Sequence, residues 1–295
     1  MKSGFVSIVG RPNVGKSTLL NSILERKIAI TSNVSGTTRN IIEGIYNDEE
    51  AQIVFVDTPG IHKPVNKLGT YMNKKAYTMI EDVDVILFLT DVTKQFGKGD
   101  KFILEKIKDL NKPVLLVLNK VDAIDKKTLL NIIDEYQKIY EFDEIIPVSA
   151  LKRDNVDELL KTIKKYLTDN VMYYDKEEIT NVSRNFQIAE LVREKLLRLT
   201  KDEVPHTITC VVESFEDAGT YFDISVLIIV DRDNLKKIII GKNGSMLKKV
   251  GICAREDIEE LLGKKVNLKT YVKTVDNWRE KEKLLNELGF NELEF

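Results

Sequence analysis

Eight residues near the start, Gly10-Arg11-Pro12-Asn13-Val14-Gly15-Lys16-Ser17, have the types and spacing needed to hold a chain of phosphates. They fit G-x-x-x-x-G-K-[ST] in full, with an apolar run at residues 5–9 before them and a helical pattern at 18–24 after. In such a loop, Gly10 and Gly15 let backbone N–H groups turn onto phosphate oxygens, and the helix beginning behind them adds its positive dipole end. Val14 and Thr18 belong to the same cradle. Lys16 is placed to reach the terminal phosphates, and the Ser17 hydroxyl to bind Mg2+. The plain alternative is a strand-to-helix turn that binds nothing; the flanking pattern argues against it.

Three later segments supply what a phosphate loop alone lacks. Asp57-Thr58-Pro59-Gly60 closes the apolar run at 53–56. A carboxylate at the C-terminal edge of a parallel strand faces the same crevice as the loop, so Asp57 is expected near Mg2+ and the Gly60 N–H near a γ-phosphate. Asn119-Lys120-Val121-Asp122 follows the run at 114–118. The Asp122 carboxylate can accept two hydrogen bonds from the N1–H and exocyclic amine of guanine, a donor pair that adenine lacks. Buried polar groups left unpaired by the wrong base give discrimination on the order of 10⁴-fold. Ser149-Ala150-Leu151 follows the run at 145–148 and is expected to close over the base, with the Ala150 N–H aimed at its carbonyl. Any one of these segments is an ordinary turn; in this order, each at a strand end, they describe a site for GTP and GDP.

The elements that must position these residues are legible in the first half. Short apolar runs at 5–9, 53–56, 85–89, 114–118 and 145–148 alternate with helical patterns at 102–110, 128–140 and 156–167. The runs read as strands buried on both faces, and the alternation predicts an α/β domain with a mostly parallel sheet. The first domain is placed at 1–170 and a polar linker at 171–184.

The second half, 185–295, follows another pattern: helix, two strands, helix, a glycine pair, helix, strand. This predicts a small α+β domain. Its glycine pair, Gly241-Lys242-Asn243-Gly244, has the G-x-x-G spacing of a KH loop, which clamps about four nucleotides by close backbone approach. Alone that tetrapeptide is weak evidence. Between Arg232 and Arg255, however, lie seven basic residues and one acidic residue, a net +6 in a chain whose total is -2. Lys236, Lys237, Lys248 and Lys249 belong to this stripe, the electrostatic footprint expected of a nucleic-acid groove. Trp278 is expected to pack rather than to stack on a base, and Cys253 to be buried.

Bulk properties bound the rest. The chain has 295 residues, enough for two domains, and 43% hydrophobic residues, enough for their cores. Two cysteines argue against a disulfide scaffold, and two histidines leave few ligands for zinc. No signal peptide or bilayer-length apolar run is visible, which predicts a cytoplasmic protein.

The motifs, with Asn13, Gly36-Thr37-Thr38-Arg39 and Asp57-Thr58-Pro59-Gly60, resemble those of the translation-factor class of P-loop GTPases, and of its Era-type ribosome-assembly branch in particular. The G-x-x-G domain is similar to the type II KH domain that follows the GTPase domain in that branch. The resemblance implies slow GTP hydrolysis, with Thr38 (or Thr37) as the switch threonine on Mg2+ and Lys16, Gly60 and Asn13 in the catalytic set. The residue after Gly60 is Ile61, where Ras-like enzymes carry a water-orienting glutamine, so backbone groups would position the water. The resemblance also implies a potassium ion beside the phosphates, held partly by Asn13. The RNA it implies is small-subunit ribosomal RNA near its 3′ end, with a role in subunit assembly and some peripheral membrane association. Two other readings stay open: a GTPase of tRNA modification, and a nucleotide-regulated RNA-binding module with little hydrolysis. The stretch Lys269-Thr270-Tyr271 is more polar than the last strand of this branch leads one to expect.

Overall fold

A computed structural model describes residues 1–61 and 64–290. It divides into two compact units: Met1–Ala29, Thr38–Pro64 and Met72–Asn181 form the first, and Ile30–Thr37, Val65–Tyr71 and Val182–Phe295 the second.

Through residue 166 the elements run β1 (Lys2–Val9), α1 (Lys16–Leu24), β2 (Ile42–Asn47), β3 (Ala51–Asp57), α2 (Lys67–Glu81), β4 (Val85–Asp91), α3 (Lys98–Ile107), β5 (Val114–Asn119), α4 (Lys126–Ile139), β6 (Glu144–Val148) and α5 (Val156–Tyr166). One six-stranded sheet has the order β2-β3-β1-β4-β5-β6. Every neighbouring pair is parallel except β2 with β3. All residues of β3, β4 and β5 are buried, which is why their sequences read as continuous apolar runs rather than alternating ones.

β1 lies between β3 and β4, so strand order reverses at its C-terminal end. A crevice opens at such a point in an open α/β sheet. Gly10 follows β1, Asp57 ends β3, Asn119 ends β5 and Ser149 follows β6, so all four predicted segments start from the same edge of the sheet.

Two features were not legible. β2 is a short edge strand with Gly44 and Asn47 in it and no strong apolar pattern. Residues 168–181, expected as linker from 171, lie within the first unit and are tied to its sheet. The Ile45 N–H donates to Ile179 O at 2.8 Å, and Gln52 Oε1 accepts from the Tyr173 and Tyr174 amides. This strap covers the open edge of β2, where unpaired backbone groups would otherwise face water.

In the second unit, α6 (Arg184–Leu199) and the short α7 (Val204–Thr207) precede β7 (Thr209–Asp217), β8 (Tyr221–Val230), α8 (Asp233–Ile240), α9 (Ser245–Leu262), β9 (Lys265–Thr274) and α10 (Glu282–Glu287). β8 is central, antiparallel to β7 and parallel to β9. Ile188, Val192 and Leu196 of α6 and Val250, Ala254 and Ile258 of α9 are fully buried against Ile224, Val226 and Ile228 of β8. The spacing of four on each helix makes one apolar stripe per helix, which is what fastens both to the sheet. Residues 30–37 also belong to this unit: Ile30 joins its core, and the Thr31 N–H donates to the buried Glu194 carboxylate at 3.0 Å.

β9 pairs with β8 over its full length despite its polar residues. Lys265, Asn267, Lys269, Tyr271 and Lys273 alternate on the exposed side, and charge on an edge strand blocks edge-to-edge pairing. Trp278 is fully buried, and its Nε1–H donates to Thr207 O at 2.7 Å, so it is packing. Cys253 departs from expectation: it is half-buried, because it sits beside the apolar stripe of α9 rather than on it.

Candidate nucleotide site and nucleic-acid groove

α1 begins at Lys16, directly after Gly15 in a left-handed conformation (φ 103°). A Cβ at Gly15 would lie 2.4 Å from Asn119 Nδ2, so conformation and space both demand glycine. No side chain caps α1 and no acidic residue lies in its first turn. The opening amides of the helix are therefore left by side chains for an anion. Lys16 is buried beside them, its Nζ donating to Gly10 O and Arg11 O at 3.3 Å. Burial pushes its pKa down, against the opposing pull of Asp57.

Ser17 Oγ donates to Asp57 Oδ2 at 2.6 Å and lies 2.8 Å from Thr38 Oγ1. Among the described residues, Asp57 Oδ1 is buried with no hydrogen-bond partner. Three oxygens thus converge with one acceptor unspent, a donor set suited to a hard divalent cation such as Mg2+. Burial pushes the Asp57 carboxyl up to about 6, against Lys16, Ser17 and Thr38; a cation there would favour the ionised form. Thr37 turns elsewhere: its Oγ1 donates to Val34 O at 2.7 Å and lies 2.6 Å from Ser32 Oγ. The geometry therefore puts Thr38, not Thr37, beside Ser17.

Asn119 is a buried hub: its Nδ2 donates to Val14 O at 2.8 Å and its Oδ1 accepts the Ala150 N–H at 3.0 Å. It fastens the phosphate loop and the Ser149 segment to one strand end. The Ala150 amide thus points at Asn119, where the sequence led us to expect a base carbonyl. Asp122 stands at the rim, steadied by Ser149 Oγ at 2.7 Å, with Lys152 Nζ 3.8 Å away. Leu151 is 79% exposed, at the edge rather than in the pocket.

Lys120 Nζ bonds Asp91 Oδ2 at 2.6 Å and Asn13 O at 3.0 Å, so Asp91 is a site residue that the sequence reading missed. Burial raises the Asp91 pKa, but hydrogen bonds from Lys120 and Thr93 outweigh it and hold the carboxyl below its usual value. Asp91 ends β4, and the strand-end carboxylate signal that picked out Asp57 applies to it equally. Asn13 sits exposed at the crest of the loop with φ 66°. Gly60 lies against Pro12, where a Cβ would come within 3.0 Å of Pro12 Cγ. Ile61 packs into the core with Val9 and Val56. His62 lies outside the described residues.

In the second unit, α8 stops at Gly241 (φ 72°), whose Cβ would lie 2.9 Å from Met246 N. Lys242 and Asn243 are exposed at the tip, and α9 starts after Gly244 with no side-chain cap and no acid in its first turn. A groove of about 330 Å³ runs from this tip between α9 and β9, lined by Gly244, Lys248, Gly251, Ile252, Arg255 and Thr270 among others. Of the predicted basic residues, Lys248 lines it; Lys236, Lys237 and Lys249 lie outside its lining. Arg255, Gly251 and Ile252 were not singled out as contacts. Helical spacing could have found Arg255, which follows Lys248 by two turns. Gly251 presents bare backbone, and Ile252 an exposed apolar surface for a base.

Phosphate loop, strand-end carboxylates and guanine-type segment on a sheet of this order, followed by a domain with this G-x-x-G groove, define a P-loop GTPase carrying a KH domain. Residues 5–120 match the family described as "50S ribosome-binding GTPase", and residues 203–279 the KH domain family. GTPase Era of Lacticaseibacillus paracasei is 49% identical over 290 residues, 98% of this chain and 97% of that protein. A crystal structure of an Aquifex aeolicus Era variant bound to GDP.AlF4- matches with TM-score 0.96 and 44% identity, over 99% of this chain and all of that one. A structure of Era in complex with MgGDPNP and nucleotides 1506–1542 of 16S ribosomal RNA matches equally, with the same score, identity and coverage. The chain belongs to the Era family of GTPases.

Proposed function

We propose that this chain hydrolyses GTP to GDP and phosphate and, as a nucleotide-controlled switch, binds 16S ribosomal RNA near its 3′ end to assist assembly of the small ribosomal subunit. The observation that carries the reading is one chain holding both a complete guanine-nucleotide site and a G-x-x-G groove, alike over almost its full length to an Era structure with MgGDPNP and 16S RNA. That RNA belongs to the small subunit, so the reading follows it rather than the broader family description.

Phosphoryl transfer to water needs charge neutralisation and an aligned nucleophile. In this reading Lys16 carries charge to the β- and γ-phosphates, and Ser17, Asp57 and Thr38 would hold Mg2+, which would supply further charge neutralisation. The buried Ile61 offers no hydrogen bond, so the water is oriented by backbone groups around Thr38 and Gly60. Asn13, exposed at the loop crest, would help hold a potassium ion, which would supply positive charge beside the phosphates as an arginine finger does. Hydrolysis is expected to run about tenfold faster in potassium than in sodium salts, an effect sized like a modest electrostatic contribution. Asn13→Ala is expected to erase that difference in a phosphate-release assay; a retained potassium effect removes this part of the reading.

The RNA side is tested at Gly241. An aspartate there would need a left-handed backbone, would crowd Met246 and would bring a negative charge to the phosphate clamp. Gly241→Asp is expected to weaken binding of a 16S 3′-end RNA by about 100-fold or more while leaving GDP affinity unchanged. By reciprocity, RNA that binds the GTP-analogue form better must tighten GTP-analogue binding by the same factor. Equal RNA affinity in wild type and variant would contradict the proposal. The reading places the protein in the cytoplasm and extends to peripheral contact with the inner face of the cell membrane; no described helix is long and apolar enough to cross one.

A further inference from the structure

Arg11 is the second residue of the phosphate loop, yet its side chain leaves the pocket and lies across the start of α3. Its Nε is 3.0 Å from Asp100 Oδ1, and its Nη2 donates to Gln95 O at 3.3 Å. Asp100 has no exposed side-chain surface, and its Oδ2 accepts the Gly97 N–H at 2.9 Å. The backbone beneath the guanidinium is stripped to make room. A Cβ on Gly99 would lie 2.8 Å from Arg11 Cδ, and one on Gly97 3.2 Å from Arg11 Nη1.

A buried carboxylate is costly without a partner of opposite charge, and a planar guanidinium is the residue suited to pairing with it. Burial raises the Asp100 pKa, with the Gly97 amide and Arg11 pulling it back. The other end of Arg11 faces the pocket: its carbonyl accepts from Lys16 Nζ. Two residues on, Asn13 holds a left-handed backbone that a non-glycine residue adopts only when its surroundings over-determine it. One residue therefore joins the loop that must receive phosphates to a fixed charge on α3.

We propose that Arg11 and Asp100 form a positioning pair that holds the phosphate loop in its anion-receiving shape by anchoring it to the first turn of α3. The pair touches no reacting atom. It supports ground state and transition state alike, so its loss raises KM and the GDP dissociation constant and leaves kcat nearly unchanged. The inference rests on the nucleotide-site reading, which GDP binding by the wild-type chain checks separately.

The test is a double-mutant cycle in the full chain with Arg11→Met, Asp100→Asn and both together, measured by titration of fluorescent GDP and by GTPase kinetics. Asp100→Asn keeps an acceptor for the Gly97 amide. Each single variant is expected to bind GDP about tenfold more weakly with kcat within about twofold, and the double variant to be no worse than the weaker single, as for two groups that act as one. Arg11→Lys, which keeps the charge without the fork and serves also if the others fail to fold, is expected to lose about threefold. Wild-type GDP affinity and KM in these variants, even with a lowered Tm, would overturn the proposal, because the pair would then serve only the fold. Losses that multiply in the double variant would overturn it as well.

Discussion

Asp122→Ala is expected to lower GTP and GDP affinity by about 10²–10⁴-fold while leaving the weak binding of ATP unchanged. Two hydrogen bonds from guanine to a carboxylate contribute about 1.5–3 kcal/mol each, which sets that range. The structure makes the change a local one. Asp122 stands at the rim, with Ser149 Oγ as its close partner, whereas the neighbouring Asn119 is buried and ties two loops together. Removing Asn119 would therefore confuse recognition with folding, and removing Asp122 does not. Equilibrium titration of labelled GDP, with ATP as competitor, reads the effect. A variant that still prefers GTP over ATP by the wild-type factor would move base recognition away from this residue.

Lys16→Met is expected to reduce single-turnover GTP hydrolysis by about 10³-fold or more, comparable to or beyond the loss of one preorganised donor in a water-excluded site. Lys16 is buried, and its ammonium donates to the loop carbonyls of Gly10 and Arg11. Methionine has a similar length and carries no charge to desolvate, so the nucleotide-free variant is expected to melt no lower than wild type. The contrast between unchanged Tm and lost hydrolysis separates a role in the reaction from a role in the fold. Rapid-quench measurement of phosphate release, beside a thermal melt, gives both. Hydrolysis within tenfold of wild type would contradict the role given to Lys16.

The nucleotide site was legible because its chemistry is tied to strand ends. A parallel strand buried on both faces writes itself as an apolar run, and the residue that follows is delivered to one edge of the sheet. Gly10, Asp57, Asn119 and Ser149 could all be placed by that rule. Asp91 obeys it too and was passed over, since no familiar tetrapeptide marks the end of β4. The edge strand β2 and the strap from 168 to 181 were hidden for a different reason: they are held by backbone pairing and by single side chains such as Gln52, which leave no periodicity. Arg11 and Asp100 are 89 positions apart, and nothing local to either announces the other. In the KH domain the glycine pair marks the turn between α8 and α9, from which the groove runs. Which lysines line the groove depends on helix phase, and of the predicted basic residues Lys248 is in its described lining. The choice between Thr37 and Thr38 likewise needed geometry: both are buried, but only Thr38 is beside Ser17.

Whether the four strand-end segments enclose a guanine nucleotide is decided by competition. The wild-type chain is loaded with fluorescent GDP in magnesium buffer and titrated with unlabelled GTP and, separately, ATP. GTP is expected to displace the label at micromolar concentrations, and ATP to fail at a thousandfold more, as discrimination by unpaired polar groups requires. Displacement by ATP as readily as by GTP, or no retention of GDP at all, would contradict the account at its root.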